Sequence, residues 1–256
     1  MRHPSGRPTI PSPLRLYGCR VMLRPLVPQD FPTWREVRQR NDTWLTPWEP
    51  RRPLPQFDPT VNRNAFASRC AARERDSAAG LSFGFGLFVD PEPGSAEPGS
   101  AEPGSGGSGN GRFCGEVNIN HILRGAIQTG TIGYWVDERC AGRGLVAEGV
   151  VVVAEFAFER LWLHRLEICI VPRNHNSRRV MEKLAIREEG VAVRALEING
   201  AWEDHVRYGF TAEEWQVRAN ELRERWLLPP GQRADMGSTD APTAVSPIRA
   251  NPEPRV

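Results

Sequence analysis

Lysine is almost absent from this chain of 256 residues, because Lys183 is the only lysine among its 33 lysine and arginine residues. The bias extends over the whole chain, so it indicates the codon usage of a GC-rich genome rather than a local site. An excess of one charge is also missing, since 33 basic residues are balanced by 31 acidic ones. Nucleic-acid-binding domains usually carry a strong basic excess. The composition therefore argues against direct nucleic-acid binding.

Long apolar runs and paired cysteines are missing too. No apolar run approaches the roughly 20 residues that a membrane span needs, and the N-terminal segment has no apolar core of a signal peptide. The five cysteines form no CxxC pair and never cluster with histidine at metal-ligand spacing. We therefore expect a reduced, cytoplasmic protein without a metal, either a monomer or a homodimer.

Three segments are predicted to lie outside the folded body. Residues 1–13 contain four prolines, residues 229–256 have few large apolar side chains, and residues 91–111 repeat the pattern AEPGS before turning into glycine and serine. Such segments bury too little apolar surface to offset the entropy of ordering them. We therefore predict two disordered tails and a disordered insert around a single domain at 14–228.

The spacing of apolar residues predicts an alternating series of elements. Strands are expected at 20–26, 81–89, 112–120, 129–136 and 165–171, helices after Asp30 and at 60–76, 145–162, 174–184 and 213–225, and a hairpin at 188–210 around Asn199-Gly200. Residues 44–59, with five prolines, are expected to be a loop with apolar anchors. The segment Val150–Val153 would also suit a strand, but glutamates at helical spacing favour a helix. The order predicts an α+β fold with one central βαβ crossover.

A glycine-bearing turn between a predicted strand and helix is the first candidate site. It runs from Arg139 to Gly144 and contains Gly142. The first turn of a helix has unpaired amides that favour an anion, and glycine lets a ligand approach closely. A plain tight turn is about equally compatible with this spacing. A dinucleotide-binding fingerprint is disfavoured, because antiparallel strands precede the turn and Glu167 lies near the start of its strand.

A second polar turn follows the next predicted strand, at Asn174-His-Asn-Ser177. In isolation these side chains are expected to cap the following helix. Both polar turns, however, belong to one βαβ unit and so lie on the same side of the sheet. The pair therefore predicts a groove for a long ligand that carries phosphate groups.

Several short motifs recur in one order between about residues 15 and 217: Arg139-x-x-Gly142-x-Gly144, Asn174-x-x-Ser177, Ile132-Gly-Tyr-Trp-Val136, Leu163-His-Arg-Leu-Glu167, Pro172-Arg-Asn174, Arg187-Glu-Glu-Gly190 and Trp202-Glu-Asp-His205. The first two resemble the GNAT superfamily of acyl-CoA-dependent N-acetyltransferases. The others resemble its RimJ/RimL branch, which acetylates the N-terminal amine of ribosomal proteins.

The resemblance implies a mixed, mostly antiparallel V-shaped sheet in which two adjacent parallel strands splay apart, with flanking helices. It implies acetyl-CoA as co-substrate and no metal. The pantetheine would pair with the backbone near Tyr134–Val136, and the diphosphate would lie on the amides of residues 139–145. The implied cofactor-binding residues are Tyr134, Trp135, Val136, Arg139, Gly142, Arg143, Gly144, Leu145, Asn174 and Ser177.

Direct attack of an amine on the thioester requires a neutral amine and protonation of the leaving thiolate. Glu116 and Glu167 on predicted strands are candidates for the base, and a structural role is as compatible for each. Three histidines are further candidates, although a lone histidine more often packs or caps: His121, His164 and His205. Other GNAT branches have a tyrosine acid where this chain has Met181. The acid would then be Ser177, Tyr208 or water.

The acceptor that the resemblance implies is the N-terminal α-amine of a protein of ribosomal type. Trp44 and Trp48, in the proline-rich segment, are candidates for one wall of the acceptor cleft, and core anchoring explains them equally well. Two alternatives stay open. The acceptor could be a small-molecule amine or antibiotic, or the protein could be a catalytically weak acyl-CoA-binding module.

Overall fold

A computed structural model describes residues 14–51, 54–89 and 111–229. The predicted disordered tails and insert fall outside these ranges, apart from their end residues 111 and 229. The extent of the predicted single domain stays a prediction.

The described residues form one sheet of eight strands in the order β1-β2-β3-β4-β5-β6-β8-β7. The strands are β1 (Leu16–Tyr17), β2 (Val21–Arg24), β3 (Phe83–Val89), β4 (Arg112–Leu123), β5 (Thr129–Val136), β6 (Arg165–Ile170), β7 (Arg187–Ile198) and β8 (Ala201–Thr211). The helices are α1 (Phe31–Arg40), α2 (Asp42–Leu45), α3 (Arg63–Ala79), α4 (Leu145–Glu155), α5 (His175–Lys183) and α6 (Ala212–Trp226). The predicted α+β class with a mostly antiparallel sheet is confirmed.

The central crossover β5–α4–β6 provides the parallel pair of the sheet. These two strands pair only from Thr129 to Thr131 on β5, opposite Arg165 to Glu167 on β6. Beyond that point the strands diverge, and this gap is called the β5–β6 split below. The predicted splay of two adjacent parallel strands is therefore present.

Two apolar clusters cover the two faces of the sheet. The larger is built on α4, whose Val150–Ala154 side chains are all buried, so the helix rather than the strand alternative is correct for this segment. The smaller includes Trp34 from α1 and Phe66 from α3, packed against aromatic side chains of β3 and β4. Ligands that enter the β5–β6 split can thus be contacted from both faces.

The structure differs from the predicted elements in several details. Helix α3 begins three residues later than expected because the Asn62 side chain caps it, accepting from the amides of Asn64 (2.9 Å) and Ala65 (3.2 Å). Val61 precedes the helix and is 53% exposed instead of packing on its apolar face. The loop at 44–59 contains the one-turn helix α2 and two short 3-10 turns.

Two further differences concern strand pairing and capping. Strand β8 inserts between β6 and β7, which sequence periodicity does not specify. Asp30 precedes α1 as expected, but its carboxylate pairs with Arg24 (2.7 Å) instead of capping the helix. None of the helices in the described ranges is both long and apolar enough to cross a bilayer.

Candidate active site

A cavity of about 600 Å³ occupies the β5–β6 split. It is lined by the end of β5, the turn and first residues of α4, helix α5 with the preceding Asn174, the segment from Trp44 to Pro50, and Asn118 of β4. The two polar turns that the sequence singled out therefore meet in one cavity, as the βαβ geometry predicts.

The turn before α4 is suited to an anion. Gly142 and Gly144 have φ angles of 76° and 81°, in the left-handed region that favours glycine. Gly144 is the N-cap of α4 and has no side chain to cap it, so no side chain competes for the first amides of the helix. Gly142, Gly144 and Leu145 all line the cavity. A negatively charged ligand group would be stabilised here by the amides and by the helix dipole.

The cations at this cavity are not the ones predicted. Arg139 and Arg143 do not line it, because the strained turn directs its glycines and Cys140 inward instead. The backbone amide of Arg139 donates to Asp137 (3.3 Å), and the carbonyl of Arg143 accepts from Arg20 (2.9 Å).

Two cations on α5 line the cavity instead, Arg179 and Lys183. They are four residues apart and thus on one face of the helix. That spacing, directly after the Asn174 turn, is a sequence signal from which they could have been predicted.

Beyond Thr131, the edge of β5 that faces the split pairs with no strand in the described ranges. The amide of Asp137 donates to the carbonyl of Cys114 on β4 (2.8 Å). Backbone groups of successive strand residues alternate in direction, so those of Ile132, Tyr134 and Val136 face the split. The indole of Trp44 donates to the carbonyl of Val136 (3.2 Å).

The start of α5 brings two hydroxyl groups together. Asn174 caps the helix, accepting from the amide of Ser177 (3.1 Å), which confirms the capping role expected in isolation. The hydroxyl of Ser177 is therefore free of capping and lies 2.8 Å from the hydroxyl of Tyr134. Burial raises the pKa of Tyr134, although the bond to Ser177 opposes it, so the phenol stays protonated. The pairing of Tyr134 with Ser177 could not be predicted from the sequence.

The other predicted acid does not reach the cavity. Tyr208 is buried and accepts from Arg178 (3.1 Å), with its hydroxyl also 3.4 Å from Glu188. Met181 is fully buried in the core. Ser177 and Tyr134 are thus the hydroxyl-bearing side chains that line the cavity among the described residues.

Glu116 lies beside the cavity rather than in it. Its side chain is almost fully buried, and its two carboxylate oxygens accept from the indole of Trp34 (2.7 Å) and from Arg69 (2.6 Å). Burial by itself would raise the pKa of Glu116, but Arg69, Arg73 and the Trp34 bond outweigh it and hold this pKa below its ordinary value. A carboxylate that is ionised and fully hydrogen-bonded is a weak base.

Glu167 is placed away from the cavity, contrary to the expected arrangement. Its backbone lies opposite Thr131, at the closed end of the split where the pairing of β5 and β6 stops. Its carboxylate forms ion pairs with Arg165 (2.8 Å) and Arg207 (3.1 Å). None of the three candidate histidines lines the cavity either, and His205 is buried with its ring bonded to the Glu203 carbonyl.

The carboxylate that does line the cavity was not predicted. Glu49 follows the two tryptophans and forms a bidentate ion pair with Arg38, both bonds being 2.6 Å. A glutamate in a proline-rich loop gives no spacing signal, so only the folded chain identifies it.

Trp44 and Trp48 line the cavity on the side opposite α4 and are half-buried. The guanidinium of Arg173 lies 5.3 Å from the ring centre of Trp48. The anchor of this segment in the core is instead Leu45, which is buried. The placement agrees with a wall of the acceptor cleft, and the acceptor role itself stays a prediction.

A cysteine pair lies at the cavity edge. The sulfur atoms of Cys140 and Cys114 are 2.6 Å apart, and Cys140 lines the cavity. The hydrogen bond with Cys114 lowers the pKa of the Cys140 thiol to about 7, although burial opposes this. The positive charge of Arg112 also lowers this pKa. No group of three or more potential metal ligands occurs within the described ranges.

A second, smaller cavity of about 270 Å³ adjoins the first on the α1 and α3 face of the sheet. The two cavities share Glu49, Pro50, Asn118 and Trp135 as lining residues. A ligand that crosses the split can therefore extend from one into the other.

Comparisons of the chain with known proteins all indicate the same family. The family model described as "Acetyltransferase (GNAT) domain" matches residues 20–187. The [Ribosomal protein uS5]-alanine N-acetyltransferase of Escherichia coli is 26% identical over 204 residues, covering 79% of this chain and 93% of that protein.

Two further relatives agree with this assignment. Probable N-acetyltransferase YjcK of Bacillus subtilis is 46% identical over 94 residues, which are 37% of this chain and 52% of that protein, so the match spans about half of its length. The solved structure of Mycobacterium smegmatis RimJ in complex with CoA-disulfide superposes with a TM-score of 0.68 at 26% identity, covering 83% of this chain and 96% of that one.

Proposed function

Because the chain belongs to the GNAT acetyltransferase family, we propose that it transfers an acetyl group from acetyl-CoA to the N-terminal α-amine of a protein. The amine attacks the thioester directly in a ternary complex. The observation that carries the proposal is the single cavity that runs from the uncapped turn of α4, along the free edge of β5, to the wall formed by Trp44 and Trp48. The cavity joins an anion site, an extended groove and an acceptor wall in that order.

A ribosomal protein is the proposed type of acceptor. The support is the similarity to the uS5-alanine N-acetyltransferase, which extends over most of both chains. Such an acceptor would place the enzyme in the cytoplasm.

The residues of this chain fit an acyl-CoA at both ends of the cavity. The amides around Gly142, Gly144 and Leu145 would bind the diphosphate, and Arg179 and Lys183 would add positive charge from α5. The backbone groups of Tyr134 and Val136 that face the split would form hydrogen bonds with the pantetheine, as an added strand would. When bound, acetyl-CoA supplies the thioester that the amine attacks.

None of the described carboxylates provides the cavity with a strong base. Glu49 is the carboxylate among its described lining residues, and both its oxygens are bonded to Arg38. An α-amine has a pKa near 8 and is substantially neutral at neutral to slightly alkaline pH, whereas a lysine side chain has a pKa about two units higher. A site that lacks a strong base therefore favours α-amines, by roughly two orders of magnitude from this difference.

Protonation of the leaving thiolate is assigned to Ser177. Its hydroxyl lines the cavity and is 2.8 Å from the phenol of Tyr134, which burial keeps protonated. Ser177 would donate its proton to the thiolate while the hydrogen bond to Tyr134 holds its hydroxyl in place, and the proton that the attacking amine loses would return to Ser177 through solvent.

The test is a competition for acetyl groups between two peptides. One starts with Ala-Arg or Ser-Arg and has no lysine; the other has the same sequence with a blocked N-terminus and an internal lysine. Mass spectrometry after limited turnover should find acetylation on the free N-terminus alone. Equal acetylation of both peptides, or acetylation only of an aminoglycoside-like small amine, would reject the N-terminal acceptor. Absence of any acetyl transfer would favour an acyl-CoA-binding module.

A further inference from the structure

The smaller cavity presents hydrogen-bond donors more than acceptors. Its three carboxylates are already engaged within the protein. Glu49 is bonded to Arg38, Glu116 to Trp34 and Arg69, and Asp58 accepts from the amide (2.8 Å) and hydroxyl (2.7 Å) of Thr60. Four arginines line the same cavity: Arg38, Arg51, Arg69 and Arg73. One positive charge in its wall is therefore unmatched.

Two of these arginines, Arg51 and Arg73, form no ion pair with a carboxylate among the described residues, and Arg73 is the less exposed of the two. Among the described residues none forms an ion pair with it within 4 Å, and its hydrogen bond is to the side-chain oxygen of Asn118 (3.0 Å). Burial lowers the pKa of Arg73, although Glu116 opposes this, which is the effect expected of a cation removed from water without full compensation.

The backbone of β3 is shaped to hold this side chain. A Cβ atom at Gly84 would lie 2.0 Å from Nη1 of Arg73 and 2.9 Å from its Cζ, so the glycine leaves the space that the guanidinium occupies. The oxygen of Asn118 also accepts from the amide of Phe85 (3.2 Å), which fixes the amide group and leaves its nitrogen as the donor for a ligand. In addition, Nη1 of Arg69 is buried and has no hydrogen-bond partner among the residues that the structure describes.

We propose that the smaller cavity binds a carboxylate of the acceptor, held by Arg73, Arg69 and Asn118. The inference rests on the proposed function, because the acceptor amine must lie in the adjoining cavity. The shared lining residues place the carboxylate within the first few residues of the acceptor chain. A carboxylate only accepts hydrogen bonds, so it satisfies the unpaired donors and neutralises the unmatched charge, whereas a neutral side chain leaves the charge in place and a cationic one adds to it. The enzyme thus selects N-termini that carry an early aspartate or glutamate.

The experiment compares peptides that differ in one group. Ser-Glu and Ser-Gln peptides, and Ser-Ala-Glu and Ser-Ala-Gln peptides, are titrated by calorimetry into the enzyme with bound CoA, and their KM values for acetylation are measured in parallel. For one of the two positions, the glutamate peptide should bind about tenfold more tightly, the size of one charge-assisted hydrogen bond.

Variants of α3 assign the preference to Arg73. Arg73→Gln should abolish it, and Arg73→Lys should retain part of it because the charge remains. Arg75→Gln is the matched control, since Arg75 is exposed on the same helix and lines neither cavity. Circular dichroism checks that each variant is folded.

The outcomes separate this inference from the proposed function. Equal binding of glutamate and glutamine peptides that are both acetylated overturns the carboxylate site and leaves the N-terminal acceptor intact. A preference that persists in Arg73→Gln also overturns it. A glutamate preference in binding without peptide acetylation supports the carboxylate site and rejects the protein acceptor. Faster acetylation of a free amino acid than of any peptide supports a carboxylate site that belongs to a small-molecule acceptor.

Discussion

Gly142→Glu should weaken the binding of acetyl-CoA by placing bulk and negative charge in the proposed anion site. A Cβ atom at Gly142 would meet no heavy atom within 4 Å, so the new side chain has room in the cavity and the fold persists. The backbone cost is that of a non-glycine residue at a φ of 76°, about 1–2 kcal/mol of folding free energy.

The loss of affinity follows from the charge. Two unit charges 4 Å apart repel by about 1 kcal/mol in bulk water and about 4 kcal/mol at an effective dielectric constant of 20. The affinity for CoA should therefore fall by roughly fivefold to a thousandfold, and more where bulk adds to charge. Calorimetric titration with CoA measures this directly.

Gly125→Glu is the matched control for the backbone. Gly125 has the same φ of 76°, a Cβ atom there would also meet nothing within 4 Å, and the residue does not line the cavity. Its variant should lose about the same stability and bind CoA normally. The affinity for an acetylated pantetheine without phosphates should fall less when the negative charge is introduced at residue 142. Unchanged CoA affinity in Gly142→Glu would show that the phosphates bind elsewhere and that residues 139–144 form a plain turn.

Three further changes test other parts of the structure. Ser177→Ala should lower kcat by more than tenfold with little change in CoA affinity or stability, because Asn174 accepts from the backbone amide of residue 177 and not from its hydroxyl; a kcat like that of the unmodified enzyme would exclude Ser177 as the acid. Glu116→Gln should destabilise the protein at pH 7 by roughly 3 kcal/mol, since Arg69 loses its charged partner. The pKa of Glu116 is lowered from 4.5, so its stabilising effect is complete above about that pH and is lost as the pH falls through the folded-state pKa; thermal unfolding between pH 3 and 7 should show the two proteins converging in acid, and a constant difference would contradict this. Replacing residues 91–111 by a four-residue turn should leave Tm and turnover nearly unchanged, because Val89 and Arg112 on either side are already paired; a loss of several kcal/mol, about half of a small domain's stability, would contradict the prediction.

Local sequence patterns determined most of the elements. The strand at 129–136 and the hairpin around Asn199-Gly200 agree with their predicted bounds within a residue or two, because period-two alternation and turn residues are properties of adjacent positions. The glutamates in the apolar stretch after Gly144 correctly predicted helix α4. The glycine turn before α4 was also recognisable, since glycine and an uncapped helix start are local features.

Only the tertiary structure decided which side chains meet in the cavity. Glu116 and Glu167 are both carboxylates on strands, yet one is bonded beside the cavity and the other lies at the closed end of the split. Their surroundings come from α1, α3 and β8, which are distant in the chain. Spacing along one strand therefore does not reveal Trp34, Arg69 or Arg207, which bind these carboxylates from other elements.

The same reason applies to the groups that the sequence did not reveal. Tyr134 meets Ser177 because β5 and α5 flank the split, and Gly84 of β3 leaves the space that the Arg73 side chain of α3 occupies. Sequence determines periodicity, turns and caps through contacts between residues a few positions apart. Charge balance, proton donors and cavity shape arise where segments far apart in the chain pack together, and the packing of this sheet fixed them.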